Sequence, residues 1–491
     1  MIIFVILLIL WLFYVLYYYL IYRKRYPKGP LPLPFIGNIY HINPIDFHQY
    51  LDKVGLKYGN CFTLFLPAPT VILTDFEYIK EALQTQGQLF SGRTHRIPEI
   101  LLQRNPNTGI IISDGETWKT QRNATLKIFK RFGVGASLME EKIQKSIDKM
   151  LLELNGESLE QIDLEKSLQL CVGNVINDLL FGFQYTNENA SELFHFIAIL
   201  KTHLKKITSN PCTLLCQSFP WAVNIPLIGY FGYTLHKQNI DKYISFIERQ
   251  VFSLISSFLE TSEPTNLVHA YLKEMKEVNE KLDLENLVAI CNDLWLGGME
   301  STATCLRWIL AYMIHYPDVQ RKAFDEINSL FPIRKLSFVD RNRLPYTQAV
   351  LNEIQRHCNM NPFLNFHVCT EETQLFGQRI PKETTVMAQI WSVLRSQEIF
   401  EDPFAFRPER FITSRGELNK NLLNKNIVFG IGKRSCAAEG LAKMQLFLIF
   451  ANLIQKYKIC VSGEKPDLKP DFATVLSPKP FFCRLEKRNE E

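Results

Sequence analysis

The stretch Phe-Gly-Ile-Gly-Lys-Arg-Ser-Cys at residues 429–436 is a glycine-rich loop that ends in a single cysteine. Residues 437–450 are helix formers with Leu, Met and Phe on one side, so a helix is predicted to begin just after Cys436. A thiol at a helix N-terminus meets free N–H groups and the positive end of the helix dipole, which favour the metal-binding thiolate. The two glycines can adopt positive φ and bring backbone amides close to the sulfur. With the guanidinium of Arg434, which can meet a carboxylate, these features describe one side of a haem site.

This octet resembles the haem-binding loop of the cytochromes P450. The resemblance implies that Cys436 is the axial ligand of the iron of haem b (iron protoporphyrin IX), with Phe429 and Arg434 as further cofactor contacts. Most members have glycine two residues after the cysteine, where this chain has Ala438, whose methyl group lies near the expected haem plane. Taken alone, an ordinary buried cysteine among the eleven in the chain is the alternative interpretation.

The composition excludes several classes of protein. Hydrophobic residues make up 47% of the 491 residues, enough to bury a large core, and the net charge of +5 is spread along the chain, so no nucleic-acid partner is expected. The cysteines lie at scattered positions without paired spacings, which indicates a reducing compartment and argues against a disulfide framework. The sequence contains no Cys-x-x-Cys pair, so a zinc site has little support.

The N-terminus begins with an uncharged run of apolar and aromatic residues, 2–22, which is long enough to span a bilayer as a helix. Arg23, Lys24 and Arg25 follow at once, and because basic flanks stay cytoplasmic, we expect a lumenal N-terminus and a cytosolic body. A cleavable signal peptide is the alternative, but it needs a basic start and small residues before the cleavage site, whereas this run ends in tyrosines. A single-pass anchor is therefore predicted, and the family resemblance implies the endoplasmic reticulum membrane.

The rest of the chain predicts one large, mainly helical domain with small β-sheets, and the family resemblance implies that this is the cytochrome P450 fold. Four prolines between residues 27 and 34, followed by Gly37, predict a stiff non-helical hinge. Hairpins are predicted from the β-prone runs at 61–66 and 71–74 and at 373–376 and 379–380, with a further run at 384–387. The expected organisation is an anchor with its basic flank at 1–26, a proline-rich hinge at 27–37 and a haem-binding catalytic domain at 38–491.

The longest helical pattern runs over residues 284–316 and contains Gly-Gly-Met-Glu-Ser-Thr at 297–302. Two glycines inside a helix cost roughly 1 kcal/mol each relative to alanine, which makes sense if something must approach the backbone closely. Ser301 and Thr302 can hydrogen-bond to carbonyls one turn earlier and bend the helix, and Glu300 can relay protons. A kinked helix crossing with no catalytic role fits the pattern equally well when it is taken alone.

The same hexad resembles the distal-helix motif of the family, in which an acid and an alcohol flank bound dioxygen. The resemblance implies catalytic roles for Glu300 and Ser301 and a haem contact for Gly298, with Thr302 as a partial substitute for the alcohol. Threonine is usual where this chain has Ser301, and serine lacks the methyl group that fixes the rotamer, so looser proton delivery and some peroxide release are expected.

Further short segments resemble structural and cofactor-holding motifs of the family. Glu353 and Arg356 match its Glu-x-x-Arg helix and Arg410 its Pro-Glu-Arg-Phe turn, which implies three interlocked structural charges, although a lone acid–arginine pair on a helix is usually exposed. Trp118 and Arg122 offer donors one turn apart for a haem propionate. Shorter matches imply the same role for Arg93 and His367, of which His367 alone would more often be an ordinary partly buried histidine.

Basic residues cluster after Trp118 and around Cys436, namely Lys119, Arg122, Lys127, Lys130, Arg131, Lys433 and Lys443. A charge run is usually a solvated face, but here it would suit the docking of an acidic electron donor. The resemblance implies that this donor is the NADPH–cytochrome reductase of the same membrane.

The function expected is haem-thiolate monooxygenation, in which one oxygen atom of O2 enters a lipophilic substrate drawn from membrane lipid, such as a xenobiotic, fatty acid or steroid. Electrons come from NADPH through the reductase. The mostly apolar segments predicted to line the pocket are 97–112, 183–200, 294–301, 361–366 and 472–476, and the aromatic stretch 219–231 either dips into the bilayer or packs on the core. The alternatives are a haem-thiolate isomerase or dehydratase that needs no reductase, and a non-catalytic haem sensor.

Overall fold

The fold is described from a computed structural model that covers residues 2–97, 99–132, 137–156, 158–259, 263–277, 281–332, 334–471 and 475–488. Of the predicted pocket segments, residues 98 and 472–474 lie outside this description. The α-helices are α1 (Ile2–Tyr17), α2 (Phe47–Tyr58), α3 (Phe76–Lys80), α4 (Gly115–Arg131), α5 (Ser137–Gly156), α6 (Glu165–Phe181), α7 (Ser191–Ser209), α8 (Pro211–Ser218), α9 (Pro226–Gly229), α10 (Leu235–Ser256), α11 (Leu267–Glu277), α12 (Leu284–His315), α13 (Pro317–Leu330), α14 (Pro345–Cys358), α15 (Ile390–Leu394), α16 (Lys420–Lys425) and α17 (Glu439–Lys456).

The strands form small sheets at the periphery, as predicted. They are β1 (Cys61–Leu66), β2 (Ala68–Leu73), β3 (His367–Val368), β4 (Thr373–Leu375), β5 (Gln378–Ile380), β6 (Thr385–Ala388), β7 (Tyr457–Val461) and β8 (Cys483–Lys487). One sheet has the order β1-β2-β6-β3, in which β2 and β6 are parallel and the other pairs antiparallel. The predicted hairpins β1–β2 and β4–β5 are confirmed, and β7 pairs with β8.

The helix α12 crosses the main hydrophobic core and organises it. The side chain of Asp283 caps its N-terminus by accepting from the N–H of Asn286 at 2.7 Å, and Pro317 follows its C-terminus. Most of its length is buried against α6, α10, α14 and α17. A second core lies around the four-stranded sheet and includes Phe400 and Phe411, and the loop before Cys436 contacts it through Ile431. The cysteine loop therefore lies where the helical core and the sheet core meet.

The N-terminal helix is seated on the globular part of the chain. A π-helical turn at Tyr18–Tyr22 continues α1, and within the described residues Ile2–Arg25 is the one helix long and apolar enough to cross a membrane. The rings of Tyr18, Tyr22 and Tyr26 surround Phe65 of β1, with centroids 5.8, 6.1 and 5.9 Å away. The prolines keep residues 27–37 out of an α-helix, and the hinge itself stays a prediction. Edge-on and tilted ring contacts with Phe65 hold the end of the anchor helix against β1.

Candidate active site

The loop before Cys436 is shaped by its two glycines. Gly430 and Gly432 have φ of +76° and +77°, and a Cβ on Gly432 would lie 1.7 Å from the carbonyl oxygen of Leu83. The N–H of Cys436 donates to the carbonyl oxygen of Phe429 at 2.9 Å and closes the loop. The helix that follows, α17, begins at Glu439, so the predicted start at residue 437 is wrong, and Ala438 is the residue that precedes the helix.

Cys436 differs from the other cysteines of the chain. All eleven lie in the described residues, and Cys436 alone is exposed. Although its side chain is accessible, the protein atoms packed around it raise the pKa of the thiol, and the nearby Glu439 raises it further, while the backbone of Ala438 and the guanidinium of Arg122 act to lower it. The thiolate expected from helix position is therefore not favoured by the protein alone, and a bound cation such as haem iron would have to stabilise it.

Three arginines and a tryptophan converge beside this loop. Arg434 stacks on the Trp118 ring at 3.8 Å and donates to the carbonyl oxygens of Ser91 at 2.6 Å and Ser113 at 2.7 Å. Arg93 donates to Ile111 and Phe366, and Arg122 donates to the carbonyl oxygen of Ser435 at 2.7 Å. Their cationic groups thus bind mainly backbone carbonyl oxygens, which are neutral acceptors.

Two observations show that this cluster suits an anionic group. Burial, followed by the charge of Arg93, lowers the pKa of Arg434 to about 8, even though Asp114 acts to raise it. The indole Nε1 of Trp118 is buried and has no hydrogen-bond partner within the described residues. A buried donor without an acceptor is costly, so an acceptor from a bound group is expected here. The residues present therefore fit a cofactor that carries carboxylates, as the propionates of haem do.

His367 of β3 lies at the edge of the same cluster. It is 3% exposed, and its Nδ1 pairs with the carbonyl oxygen of Phe90 at 2.7 Å. Burial, followed by the charge of Arg93, lowers the pKa of His367 well below its usual value, so the ring is neutral and Nδ1 carries the hydrogen.

On α12, the two glycines of the hexad face different surroundings. A Cβ on Gly297 would meet nothing within 4 Å, whereas one on Gly298 would lie 2.6 Å from Ile176 of α6. Gly298, predicted as the haem contact, thus allows α12 to approach α6, and Gly297 is the glycine that leaves open space beside the helix. Ser301 donates to the carbonyl oxygen of Gly297 at 2.6 Å, which is the predicted back-bond, and Thr302 is buried.

Glu300 does not pair with Ser301. Its Oε1 accepts from Thr304 at 3.2 Å and lies 3.4 Å from the ammonium of Lys201 on α7. Lys201 also pairs with Glu165 of α6, whose second oxygen lies 3.1 Å from Arg307. Burial raises the pKa of Glu300 and Lys201 lowers it. The motif did not reveal this network, since Lys201 and Glu165 are remote in sequence and only folding brings them to Glu300.

The predicted structural charges interlock as expected. Glu353 accepts from Arg356 at 2.7 and 2.9 Å and from Arg410 at 3.0 Å, and the side chains of Glu353 and Arg356 are fully buried. Arg410 also donates to backbone carbonyls of residues 401–405, which closes the turn at residues 408–411 against α14.

A buried acid on α12 holds the loop that precedes α4. Asp293 accepts from the N–H groups of Ile110 and Ile111 at 2.6 and 2.9 Å and from Gln103 at 2.6 Å. Burial raises the pKa of Asp293 to about 7. The sequence analysis missed this residue, since one acid in an apolar helix has no local partner to indicate its role.

The predicted basic surface is partly neutralised by its own carboxylates. Ion pairs join Lys119 to Glu116, Lys127 to Glu274, Arg131 to Glu263 and Lys443 to Glu439, and Lys433 donates to Gln88. The charge available to an acidic partner is therefore smaller than the sequence count indicates.

An exposed thiol beside converging arginines fits the thiolate side of a haem site. The family model described as Cytochrome P450 matches residues 27–484. Cytochrome P450 2M1 of Oncorhynchus mykiss is 30% identical over 482 residues, which cover 96% of this chain and 94% of that protein. Cytochrome P450 2C23 of Rattus norvegicus is 32% identical over 478 residues, covering 95% and 94%, and Probable cytochrome P450 CYP36A1 of Caenorhabditis elegans is 32% identical over 474 residues, covering 94% of each.

The chain belongs to the cytochrome P450 family. It is an oxidoreductase of the haem-thiolate monooxygenase class, whose cofactor is haem b and whose electrons come from NADPH.

Proposed function

We propose that this protein is an endoplasmic reticulum monooxygenase that oxidises lipophilic substrates, with residues 1–26 as the anchor, 27–37 as the hinge and 38–491 as the cytosol-facing catalytic domain. The single observation that carries the proposal is the exposed thiol of Cys436 beside the buried indole N–H of Trp118, which lacks an acceptor among the described residues. A metal ligand and an anion site lie next to each other there, and haem needs both.

Haem b, when bound, supplies the activation of dioxygen. The protein holds it through the Cys436 sulfur and through donors from Arg93, Trp118, Arg122, Arg434 and the Nε2 side of His367. These groups also fix its orientation, because several are themselves held by backbone carbonyls.

On α12, Glu300 and Ser301 hold and pass on protons. The Oε2 atom of Glu300 is buried and has no partner in the described part of the chain, so it can hold a proton out of bulk solvent. The Ser301 hydroxyl donates its hydrogen to the carbonyl oxygen of Gly297, so its lone pairs can accept a hydrogen bond from a neighbouring group. Buried Thr302 acts as a positioning residue of the same turn.

The proposed substrate is lipophilic, because the protein is proposed to be membrane-bound and part of its surface carries exposed apolar side chains. Trp221 and Leu227 are 63% and 73% exposed, and Tyr230 and Phe231 lie beside them. Side chains of this kind are unfavourable in water and favoured at a membrane interface. We infer that the segment 219–231 contacts the bilayer, which favours the first of the two interpretations of this stretch.

The partner that delivers electrons is proposed to be the NADPH–cytochrome reductase of the same membrane. Lys130, which is exposed on α4, and Arg122 beside Cys436 carry positive charge towards this face. Charge would steer an acidic partner to this face. The attraction is weak, because most of the neighbouring basic residues already form ion pairs with carboxylates of this chain.

The first experiment is the ferrous carbon monoxide difference spectrum of the full-length protein and of Cys436→Ala, with Cys212→Ala as a control at a half-exposed cysteine. We expect a strongly red-shifted Soret band that is lost only in Cys436→Ala. An unshifted band, or one that survives the mutation, would overturn the proposal. Product formation that needs no reductase would favour the isomerase alternative. A spectral change on ligand binding without product formation would favour the sensor alternative.

A further inference from the structure

A cleft lies where the anchor helix meets the globular part of the chain. It has a volume of about 420 Å³ and is open to solvent. Its lining, here called the juxtamembrane cleft, consists of Lys24, Arg25, Tyr26, Pro27, Lys28, Tyr58, Cys61, Gln378 and Arg379. One wall is thus the basic end of the anchor, and the other includes strand β5.

The depth of this cleft relative to a membrane is fixed by the fold. The membrane-spanning candidate ends at Arg25, so the cleft begins where the apolar helix ends. Edge-on and tilted ring contacts of Tyr18 and Tyr22 with Phe65 hold the end of the anchor against strand β1. Leu20 and Ile21, immediately before the cleft, are 57% and 52% exposed and would face acyl chains. A ligand in the cleft would therefore lie at the level of lipid headgroups.

The cleft carries positive charge that the protein does not balance. Lys24, Arg25 and Lys28 are exposed, and within the residues that the structure describes none of them takes part in an ion pair. Arg379 is held by Glu372 through bonds of 3.1 and 2.6 Å, so it fixes the wall and adds no net charge. This contrasts with the basic residues around α4, most of which have carboxylate partners.

We propose that the juxtamembrane cleft binds the headgroup of one anionic phospholipid of the cytosolic leaflet, an inference that rests on the proposed cytosol-facing orientation. The ammonium and guanidinium groups of Lys24, Arg25 and Lys28 receive the phosphate. Tyr58 and Gln378 offer polar groups to a hydroxyl-bearing headgroup such as inositol. A lipid is the occupant rather than free phosphate, because the cleft opens beside the apolar surface of the anchor, where acyl chains add binding energy.

The test is retention of phosphatidylinositol by the full-length protein after reconstitution with phosphatidylcholine containing a minor share of phosphatidylinositol, followed by removal of loose lipid. The unmodified chain should keep a stoichiometric amount. In the triple variant Lys24→Gln, Arg25→Gln, Lys28→Gln, lipid retention at low salt should fall about fivefold for each neutralised charge. Gln378→Glu adds a carboxylate on β5 without altering the anchor and should also weaken retention. The control Lys145→Gln, Lys420→Gln, Lys465→Gln removes equal charge at exposed positions elsewhere and should retain the lipid.

Equal retention by all four proteins would overturn the inference, as would release of the lipid by inorganic phosphate alone. The carbon monoxide spectrum of the same samples tests the proposed function separately. A red-shifted band with equal lipid retention would reject the lipid site only, and a missing band with selective retention would reject the monooxygenase proposal only. Protease protection in sealed membranes reports the orientation.

Discussion

The ammonium of Lys201 on α7 lies 3.4 Å from Oε1 of Glu300 on α12. The ammonium also binds Glu165 of α6, so three helices share one charge network beside the proposed proton-handling group. Because burial raises the pKa of Glu300 and Lys201 lowers it, the protonation state of this acid depends on the position of α7.

Replacing Lys201 with methionine should move the pKa of Glu300 further upward, since the opposing charge is lost while burial remains. The carboxyl would then stay protonated to higher pH, and the alkaline limb of the pH profile of product formed per NADPH should shift towards higher pH. Lys205→Met, one turn along α7 at an exposed pair with Asp471, should leave the profile unchanged. An unshifted profile in Lys201→Met would contradict the proposed role of the pair.

Ser301→Ala should release more hydrogen peroxide per NADPH than the unmodified protein, because the hydroxyl that bonds Gly297 is removed. Ser301→Thr keeps the hydroxyl and adds the methyl group that fixes its rotamer, so it should release less. Loss of a group that takes part in proton transfer costs about 100-fold in rate at the low end of the usual range. Peroxide and product are measured on the same samples, and equal peroxide from all three proteins would remove Ser301 from the mechanism.

Asp293→Asn should flatten the pH dependence of stability. The folded-state pKa of about 7 lies above the ordinary value for Asp, so the stabilisation that this group contributes is complete at low pH and is lost as the pH rises through 7. Each pH unit between the ordinary pKa of Asp, about 4, and the folded-state value removes about 1.4 kcal/mol of stability. In Asp293→Asn, the urea midpoints for loss of the Soret band should differ less between acid and alkaline pH than they do in the unmodified protein. The control is Asp318→Asn, at an exposed position. Parallel curves would argue against a titrating Asp293.

Arg356→Gln should destabilise the protein by about 3–5 kcal/mol, because it leaves the buried carboxylate of Glu353 short of a partner. Arg321→Gln breaks an exposed pair with Asp318 and should change stability by less than about 1 kcal/mol. The urea midpoint and the yield of haem-loaded protein measure the difference. Similar midpoints for the two variants would show that the buried cluster is not a main support of the fold.

Gly432→Ala should lower haem retention far more than Gly377→Ala. Both residues have φ near +77° to +78°, so both substitutions cost about 1–2 kcal/mol of backbone strain. Only at Gly432 would the new Cβ also meet a carbonyl oxygen, that of Leu83, whereas nothing lies within 4 Å at Gly377. Haem content per chain after gel filtration is the measurement. Equal losses would mean that backbone strain alone governs the loop.

Local sequence patterns predicted the elements of this fold well. The hairpin at β1–β2 follows from β-prone runs, the length of α12 from its apolar periodicity and its proline boundary, and the Cys436 loop from a specific motif. The start of α17 was predicted slightly early, because the alanines after Cys436 favour a helix locally while the loop closed by Phe429 delays it.

Contacts between segments that are distant in sequence were not predictable from local patterns. The identity of the partner of Glu300 depends on how α7 packs across α12, and no spacing in the sequence records that crossing. Which of Gly297 and Gly298 has open space beside it depends on which face of α12 meets Ile176. The position of the anchor depends on Phe65, a residue that the sequence marks only as part of a strand.

That contact with Phe65 gives the first 26 residues a second role. A flexible connection would let the body rotate relative to the anchor helix, whereas the edge-on and tilted rings around Phe65 hold the two at a fixed angle. With the anchor in the proposed membrane, the tyrosines at its end therefore set the tilt of the body relative to the bilayer. An unrelated anchor of equal length and hydropathy would preserve attachment but change the angle at which the segment 219–231 meets the membrane.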